Sequence, residues 1–375
     1  MKSLLTVALL TFGVATTDSV DKSAKSEKSC RALALSGGGA KGSFEAGALY
    51  GLVMNDVDKS KYRYDVVTGV SAGAINTGAI SVFDIGDEEN LVQFLSETWS
   101  SIVGSDVYKQ WSPLGIVTGI LFESGVFDDT PLSNFLASVF EQFSYEIKRR
   151  IVVSCADVVS GNYITFNETT NDPVKAIVSS ASIPFVFPHQ VWSEEVVCMD
   201  GGTVWNTNLA SAIHRCEEIV DDHSQITMDV IICDDYQFAP YSSKTDTLGM
   251  FNRYKDIRDS YSNIGDVYDL MKAFPKVNYR YYIQPSQPLP GGLNLLNFDN
   301  TTNTWPMQMT GRLDAENALK DGEGFMFNKM LEWDQSPDLK IQYPRINDYV
   351  TKTVIERAAT HKKERKRQHQ EEEAV

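Results

Sequence analysis

One stretch of this chain dictates a strand, a turn and a helix in immediate succession. Tyr64-Asp-Val-Val-Thr-Gly69 reads as a short buried strand, and Ala72 to Ile80 is small and apolar enough to run as a helix. Between them, Gly69-Val70-Ser71-Ala72-Gly73 leaves room only for a tight turn that a Cβ would obstruct. A serine on such a strand-to-helix turn projects its oxygen clear of the backbone, as a nucleophile elbow does. A pentapeptide of this kind also arises by chance, so its meaning depends on the rest of the chain.

The first companion is a glycine loop. Gly37-Gly-Gly-Ala-Lys-Gly42 follows the strand Arg31–Ser36 directly and opens an apolar-periodic helix over Ser43–Met54. One reading is a dinucleotide fingerprint, which wants an acidic residue ending the second strand. Asp65 is the nearest candidate, but it starts its strand and so sits at the opposite edge of the sheet. The other reading places the N–H groups of Gly38 and Gly39 around a developing oxyanion, where one donor contributes about 3 kcal/mol. Lys41 steadies the loop, meets a lipid phosphate, or is a plain surface lysine at a helix start.

A serine nucleophile needs a base. The histidines are His189, His214, His223, His361 and His369, and none sits in a motif that would bring it to Ser71. Asp200 follows the apolar strand Val196–Met199 and precedes Gly201-Gly202. A carboxylate serves as general base when burial raises its pKa toward working pH. Standing alone, Asp-Gly would be a simple turn.

Taken in order, Gly37–Gly42, Gly69–Gly73 and Asp200–Gly202 resemble the three blocks of the patatin-like phospholipase family. Ala181-Ser-Ile-Pro184 with Phe187-Pro188 resembles the segment ahead of that family's aspartate. The resemblance runs from Leu33 to Ile213, about half of the chain's 375 residues. It implies a Ser–Asp dyad without histidine, with Ser71 as nucleophile and Asp200 as base. The loop carrying Gly37, Gly38, Gly39, Lys41 and Gly42 would be the oxyanion and substrate-binding strip, and by the elbow's geometry the Ala72 N–H would assist. It further implies hydrolysis of lipid acyl esters at a membrane or micelle surface, with neither metal nor cofactor. The alternative enzyme is an α/β-hydrolase with a Ser-Asp-His triad, closed by His214 or His223. Outside enzymes, the alternative is a storage or binding protein that keeps the fold with little turnover.

Strands and helices alternate along the rest of the chain. Glu88–Ile102, a helix opened by Pro131, and Val174–Ser182 are helical. Ile151–Ala156, Tyr163–Phe166, Ile226–Cys233 and Tyr279–Ile283 are strands; Thr247–Phe274 reads as one or two helices and Arg312–Leu331 as a Gly-interrupted one. This predicts an α/β fold of three layers, a largely parallel central sheet flanked by helices. The hydrolase domain is expected over 30–354, with its motif-bearing core at 33–213 and an extension at 214–354. The aromatics of Trp99–Trp111 and Leu114–Phe127 line an acyl pocket, form a lid, or, the commoner role for such spacing, fill the core.

Met1-Lys2-Ser3 followed by the apolar run Leu4–Ala15 reads as a cleaved secretory signal over 1–15, with a polar linker over 16–29. That run is too short to span a bilayer, and no later segment supplies a transmembrane anchor. The expected location is the secretory pathway, ending outside the cell or in a lysosome- or vacuole-like compartment. The formal charge of −16 argues against a nucleic-acid partner and against tight docking on anionic lipid. Of Cys30, Cys155, Cys198, Cys216 and Cys233, an odd number, at least one lies outside any intrachain disulfide. Cys155 and Cys233 sit in strand-like runs, as small buried hydrophobes do. Asn167-Glu-Thr169 and Asn300-Thr-Thr302 are glycosylation sequons, both in loop-like sequence, and residues 355–375 form a charged tail.

Overall fold

The computed structural model describes residues 28–233, 244–289 and 295–335. The signal, most of the linker and the charged tail with His361 and His369 lie outside them. The chain begins with β1 (Cys30–Leu35), α1 (Gly42–Asn55), β2 (Val66–Gly69), α2 (Ala72–Ser81) and α3 (Glu88–Ser101). Two short helices, α4 (Gly104–Val107) and α5 (Ile116–Phe122), precede α6 (Thr130–Gln142), β3 (Arg150–Asp157) and β4 (Tyr163–Asn167). Then come α7 (Pro173–Ala181), β5 (Gln190–Val191), β6 (Val197–Asp200), α8 (Leu209–Glu217) and β7 (Ile226–Ile231). Finally α9 (Thr247–Ala273), β8 (Asn278–Ile283), α10 (Trp305–Asp321) and α11 (Phe325–Gln335) close the described chain.

The eight strands among the described residues form one sheet in the order β5-β6-β3-β2-β1-β7-β8, with β4 also on β3. β3, β2, β1, β7 and β8 run parallel, while β4, β5 and β6 join through antiparallel pairing at one side. Parallel strands are covered on both faces and read as near-continuous apolar runs; Leu33 and Val67 face one core cluster, Ala32 and Val66 the other. The first cluster packs α1, α2, α3, α6 and α7 on one face; the second packs α8, α9 and α11 on the other. The α/β fold of three layers is thus present, and β7 and β8, which follow Ile213, complete its sheet.

Several boundaries differ from the sequence expectation for physical reasons. The segment Thr247–Phe274 is one helix, since it contains no proline and its Asp246 side chain caps the start by accepting the Gly249 N–H at 2.8 Å. The Gly-interrupted helix is two helices, α10 and α11, because Gly322 (φ +92°) and Gly324 (φ +77°) adopt left-handed backbone that ends a helix. Asn167 is the last residue of β4 rather than part of a loop. Cys155 is no lone buried hydrophobe: it pairs with Cys198, and Cys30 pairs with Cys216. Cys233 is buried outside either disulfide, as its strand-like setting indicated.

The first disulfide ties β1 to α8 across 186 residues of sequence; the second ties β3 to β6 across 43. Closing a loop of the second size stabilises the fold by about 4 kcal/mol in the chain-entropy treatment. Urea unfolding of Cys155→Ser/Cys198→Ser should therefore show a loss of about 3–4 kcal/mol relative to the oxidised protein. An unchanged midpoint would mean that β6 is held without the disulfide.

Candidate active site

The site follows from how strands share the edges of β3. β4 occupies one edge, with Ile164 opposite Cys155 and Tyr163 opposite Ala156. β2 occupies the other edge and stops with Gly69 opposite Val153. β6 also pairs at Cys155, through Asp200, so it takes the edge that β2 has just left. The two strands approach one another end to end from opposite directions. The turn after β2 carries Ser71, and the last residue of β6 is Asp200. Their meeting is a consequence of register, and the contact of Gly201 confirms the approach: a Cβ there would lie 3.1 Å from Val70 Cγ1.

Ser71 has φ +53° and ψ −119°, a conformation that costs a non-glycine residue about 1–3 kcal/mol. Its neighbours make the turn possible. A Cβ on Gly69 would stand 2.1 Å from the Gly73 carbonyl oxygen, and one on Gly73 would stand 2.6 Å from that of Ser36. The Ser71 N–H donates to Ser180 Oγ at 3.0 Å, and the residue is only 5% exposed. Asp200, equally buried, accepts the Gly202 N–H at 2.7 Å and donates its own N–H to the Ser182 carbonyl at 2.8 Å. The Ser71 hydroxyl stands near enough to the Asp200 carboxylate to favour its ionised form. Burial pushes the Asp200 carboxyl up to about 6, against the lowering pull of the Ser71 hydroxyl and the Gly202 N–H.

The glycine loop divides into groups that shape it and groups that face outward from it. The Gly37 N–H donates to the Asn206 carbonyl at 3.1 Å, and its carbonyl accepts from Asn206 Nδ2 at 3.1 Å. The Lys41 N–H donates to the Gly38 carbonyl, and the Gly42 N–H turns back to the Gly39 and Ala40 carbonyls. Gly37, Lys41 and Gly42 therefore spend their backbone donors on the loop itself. The N–H groups of Gly38, Gly39 and Ala72 have no acceptor among the described residues. Gly39, Ser71 and Ala72 line one cavity, whose remaining wall is apolar and includes Ile75, Trp99, Leu132, Phe187 and Phe298. Ile75, Trp99 and Ile102 also line a second apolar cavity that runs on toward Phe94, Phe135 and Phe140. Trp99 thus serves the pocket, one of the roles open to the aromatic segments.

The supporting residues carry no motif. Glu45 on α1 accepts the Ser36 N–H at 2.8 Å and Asn76 Nδ2 at 2.9 Å. Asn76 also donates to the Gly42 carbonyl at 3.0 Å and accepts from Trp99 Nε1 at 2.7 Å. The Cys233 N–H donates to Ser36 Oγ at 2.8 Å. Burial pushes the Glu45 carboxyl up to about 8, although hydrogen bonds from Asn76, Cys233 and Ser36 pull it down. This network ties the end of β1, the loop, α2 and α3 into one unit. Ser180 and Asn206 are likewise visible only in three dimensions.

The other candidates lie elsewhere. His214 and His223 both engage Glu217, at 3.0 and 2.7 Å, and His189 is exposed, its N–H held by Ser124 Oγ. None of these three hydrogen-bonds Ser71 or Asp200. Asp65 accepts the Arg31 N–H at 2.8 Å, at the edge of the sheet away from the glycine loop. Among the described residues no helix is long and apolar enough to cross a membrane.

Residues 33–213 match the family model described as Patatin-like phospholipase. The matched segment holds the glycine loop, Ser71 and Asp200, and it ends within α8. Among solved structures it is similar to VipD from Legionella pneumophila, at 14% identity and TM-score 0.39, covering 79% of this chain and 67% of that one. It is also similar to the type III effector protein ExoU, at 15% identity and TM-score 0.35, covering 78% of this chain and 53% of that one. A third similar structure is the heterodimeric ExoU–SpcU complex of Pseudomonas aeruginosa, at 14% identity and TM-score 0.32, covering 79% and 52%. The chain spans about half the length of ExoU. No curated protein sequence matches it.

Glu45→Ala should lower the unfolding free energy by about 2–4 kcal/mol, because buried donors on Ser36 and Asn76 lose their shared acceptor. Chemical denaturation followed by tryptophan fluorescence measures it. A loss below about 0.5 kcal/mol, the level of an ordinary surface substitution, would show that the network contributes nothing to the loop.

Proposed function

We propose that this protein is a lipid acyl hydrolase of the phospholipase A type, which cleaves fatty-acyl esters of glycerolipids through an acyl-enzyme on Ser71. The observation that carries this reading is the proximity of Ser71 to the buried carboxylate of Asp200, beside an apolar cavity lined by Ser71, Gly39 and Ala72. Ionised Asp200 accepts the Ser71 hydroxyl proton as Ser71 Oγ attacks the ester carbonyl carbon. Negative charge passes to the carbonyl oxygen, where the N–H groups of Gly38, Gly39 and Ala72 are its donors and the N-terminus of α2 adds favourable potential. The tetrahedral intermediate collapses, and Asp200 returns the proton to the departing alcohol. Water, deprotonated by Asp200 in turn, attacks the acyl-enzyme and releases the fatty acid with Ser71 restored.

The walls of the two cavities are mainly hydrocarbon and aromatic, the surroundings that suit an acyl chain. A dyad is favoured over a triad because the described histidines are committed to Glu217 or to the surface. The two disulfides support the secretory location, since such bonds persist in oxidising compartments.

Ser71→Ala and Asp200→Asn should each reduce release of fatty acid from glycerolipids by at least ~10³-fold. Mass spectrometry of a lipid-class panel, with circular dichroism confirming the fold, is the measurement. Near-normal turnover by Asp200→Asn would sink the dyad.

The pH profile provides a separate check. Asp200 must be ionised to take the proton, and its carboxyl lies at about 6 rather than its ordinary 3.8. Activity against an uncharged ester should therefore fall as pH drops through about 6 and level off above it. A profile still flat at pH 5 would assign the base to another group.

A further inference from the structure

The segment from Gln110 to Phe122 contains no charged residue, and the structure leaves much of it in solvent. α5 packs inward through Gly119, where a Cβ would meet the Val126 carbonyl oxygen at 2.5 Å. Most of its other positions face out: Ile120 and Leu121 are each 65% exposed and Phe122 is 73% exposed, with Ile116, Val117 and the preceding Leu114 also open. This segment is therefore neither core nor pocket lining, two of the roles its apolar character allowed. Phe185 extends the same surface. It is 86% exposed, and its φ of +68° is left-handed backbone that a bulky residue adopts only under constraint. That constraint is a bridge between Phe185 and Gly125, with the Val126 N–H donating to the Phe185 carbonyl at 3.0 Å. α5 and Phe185 thus stand against the same two residues, Gly125 and Val126. The residues two positions to either side of Phe185, Ile183 and Phe187, line the cavity at Ser71.

An exposed apolar patch of this kind marks an interaction surface, and its position at the cavity defines the partner. We propose that α5 and Phe185 dock the protein on an uncharged or zwitterionic lipid surface, setting the cavity against the layer that supplies its substrate. The inference rests on the lipid-hydrolase reading and names how that site reaches its lipid. Charge selects the kind of surface. The patch offers no cation, Lys109 at its start is paired with Asp128, Glu123 at its end is exposed, and the whole chain carries −16. Anionic lipid would repel such a protein, while apolar side chains entering the headgroup boundary need no charge.

The test uses the full chain in a Ser71→Ala background, so that vesicles are bound without being consumed. This protein should co-sediment with phosphatidylcholine vesicles. Adding Ile120→Ser, Leu121→Ser and Phe122→Ser should weaken that binding by at least about tenfold, given the apolar area removed. In the wild-type background the same three substitutions should raise the apparent KM on vesicles yet leave hydrolysis of a water-soluble short-chain ester within about twofold, since none of the three lines the cavity. Equal sedimentation of patch variant and parent would overturn docking even if the enzyme is fully active. So would a parent that sediments as a dimer which the substitutions dissociate, since the patch would then cover a second copy. Patch-dependent vesicle binding without any ester hydrolysis would uphold docking while refuting the lipid-hydrolase reading.

Discussion

The sharing of one edge of β3 by two strands governs this molecule. β2 uses that edge as far as Val153, and β6 enters it at Cys155 from the other direction. Two chain segments separated by more than a hundred residues are thereby delivered to the same few ångströms. The strained turn at Ser71 and the carboxylate of Asp200 then need only short side chains to meet. β6 has four residues, too few for a strand to hold its own register by pairing alone. The Cys155–Cys198 disulfide supplies the missing constraint, and the Gly201 contact with the Ser154 carbonyl leaves no room for displacement.

A second layer of support lies beneath the glycine loop. A buried carboxyl such as Glu45 is costly unless hydrogen bonds surround it, and here they come from the end of β1 and from α2. The same network holds Trp99, which walls the cavity. Shape at the loop and shape at the pocket are therefore coupled through one polar cluster. The strained Ser71 backbone persists because Ser180, Gly69 and Gly73 determine its surroundings on every side, a pattern expected where strain serves a site.

Local pattern made most of this fold legible. Apolar runs located β1, β2, β3 and β7, since parallel strands buried on both faces have little freedom of composition. α4 and α5 were not legible: a helix of four or seven residues has too few turns to establish a period. The candidate nucleophile Ser71, the candidate base Asp200 and the glycine loop were readable because each sits among small residues at fixed offsets. Glu45, Asn76, Ser180 and Asn206 were not, because a polar residue acting through a distant backbone group has no required neighbour in sequence.

The sequence by itself determined the turn at Ser71, the loop at Gly37–Gly42 and the candidate carboxylate at Asp200, each a local constraint of backbone space. Tertiary structure decided which of these meet, which loop donors remain open, and how the five cysteines divide into two pairs and one buried thiol. It also brought Leu296 and Phe298, far beyond the matched family region, into the wall of the cavity at Ser71, and it left α5 in solvent rather than in the core. The physical reason is common to all of these: local sterics specify a turn from adjacent residues, whereas contact across a sheet depends on register and packing among segments the chain itself keeps apart.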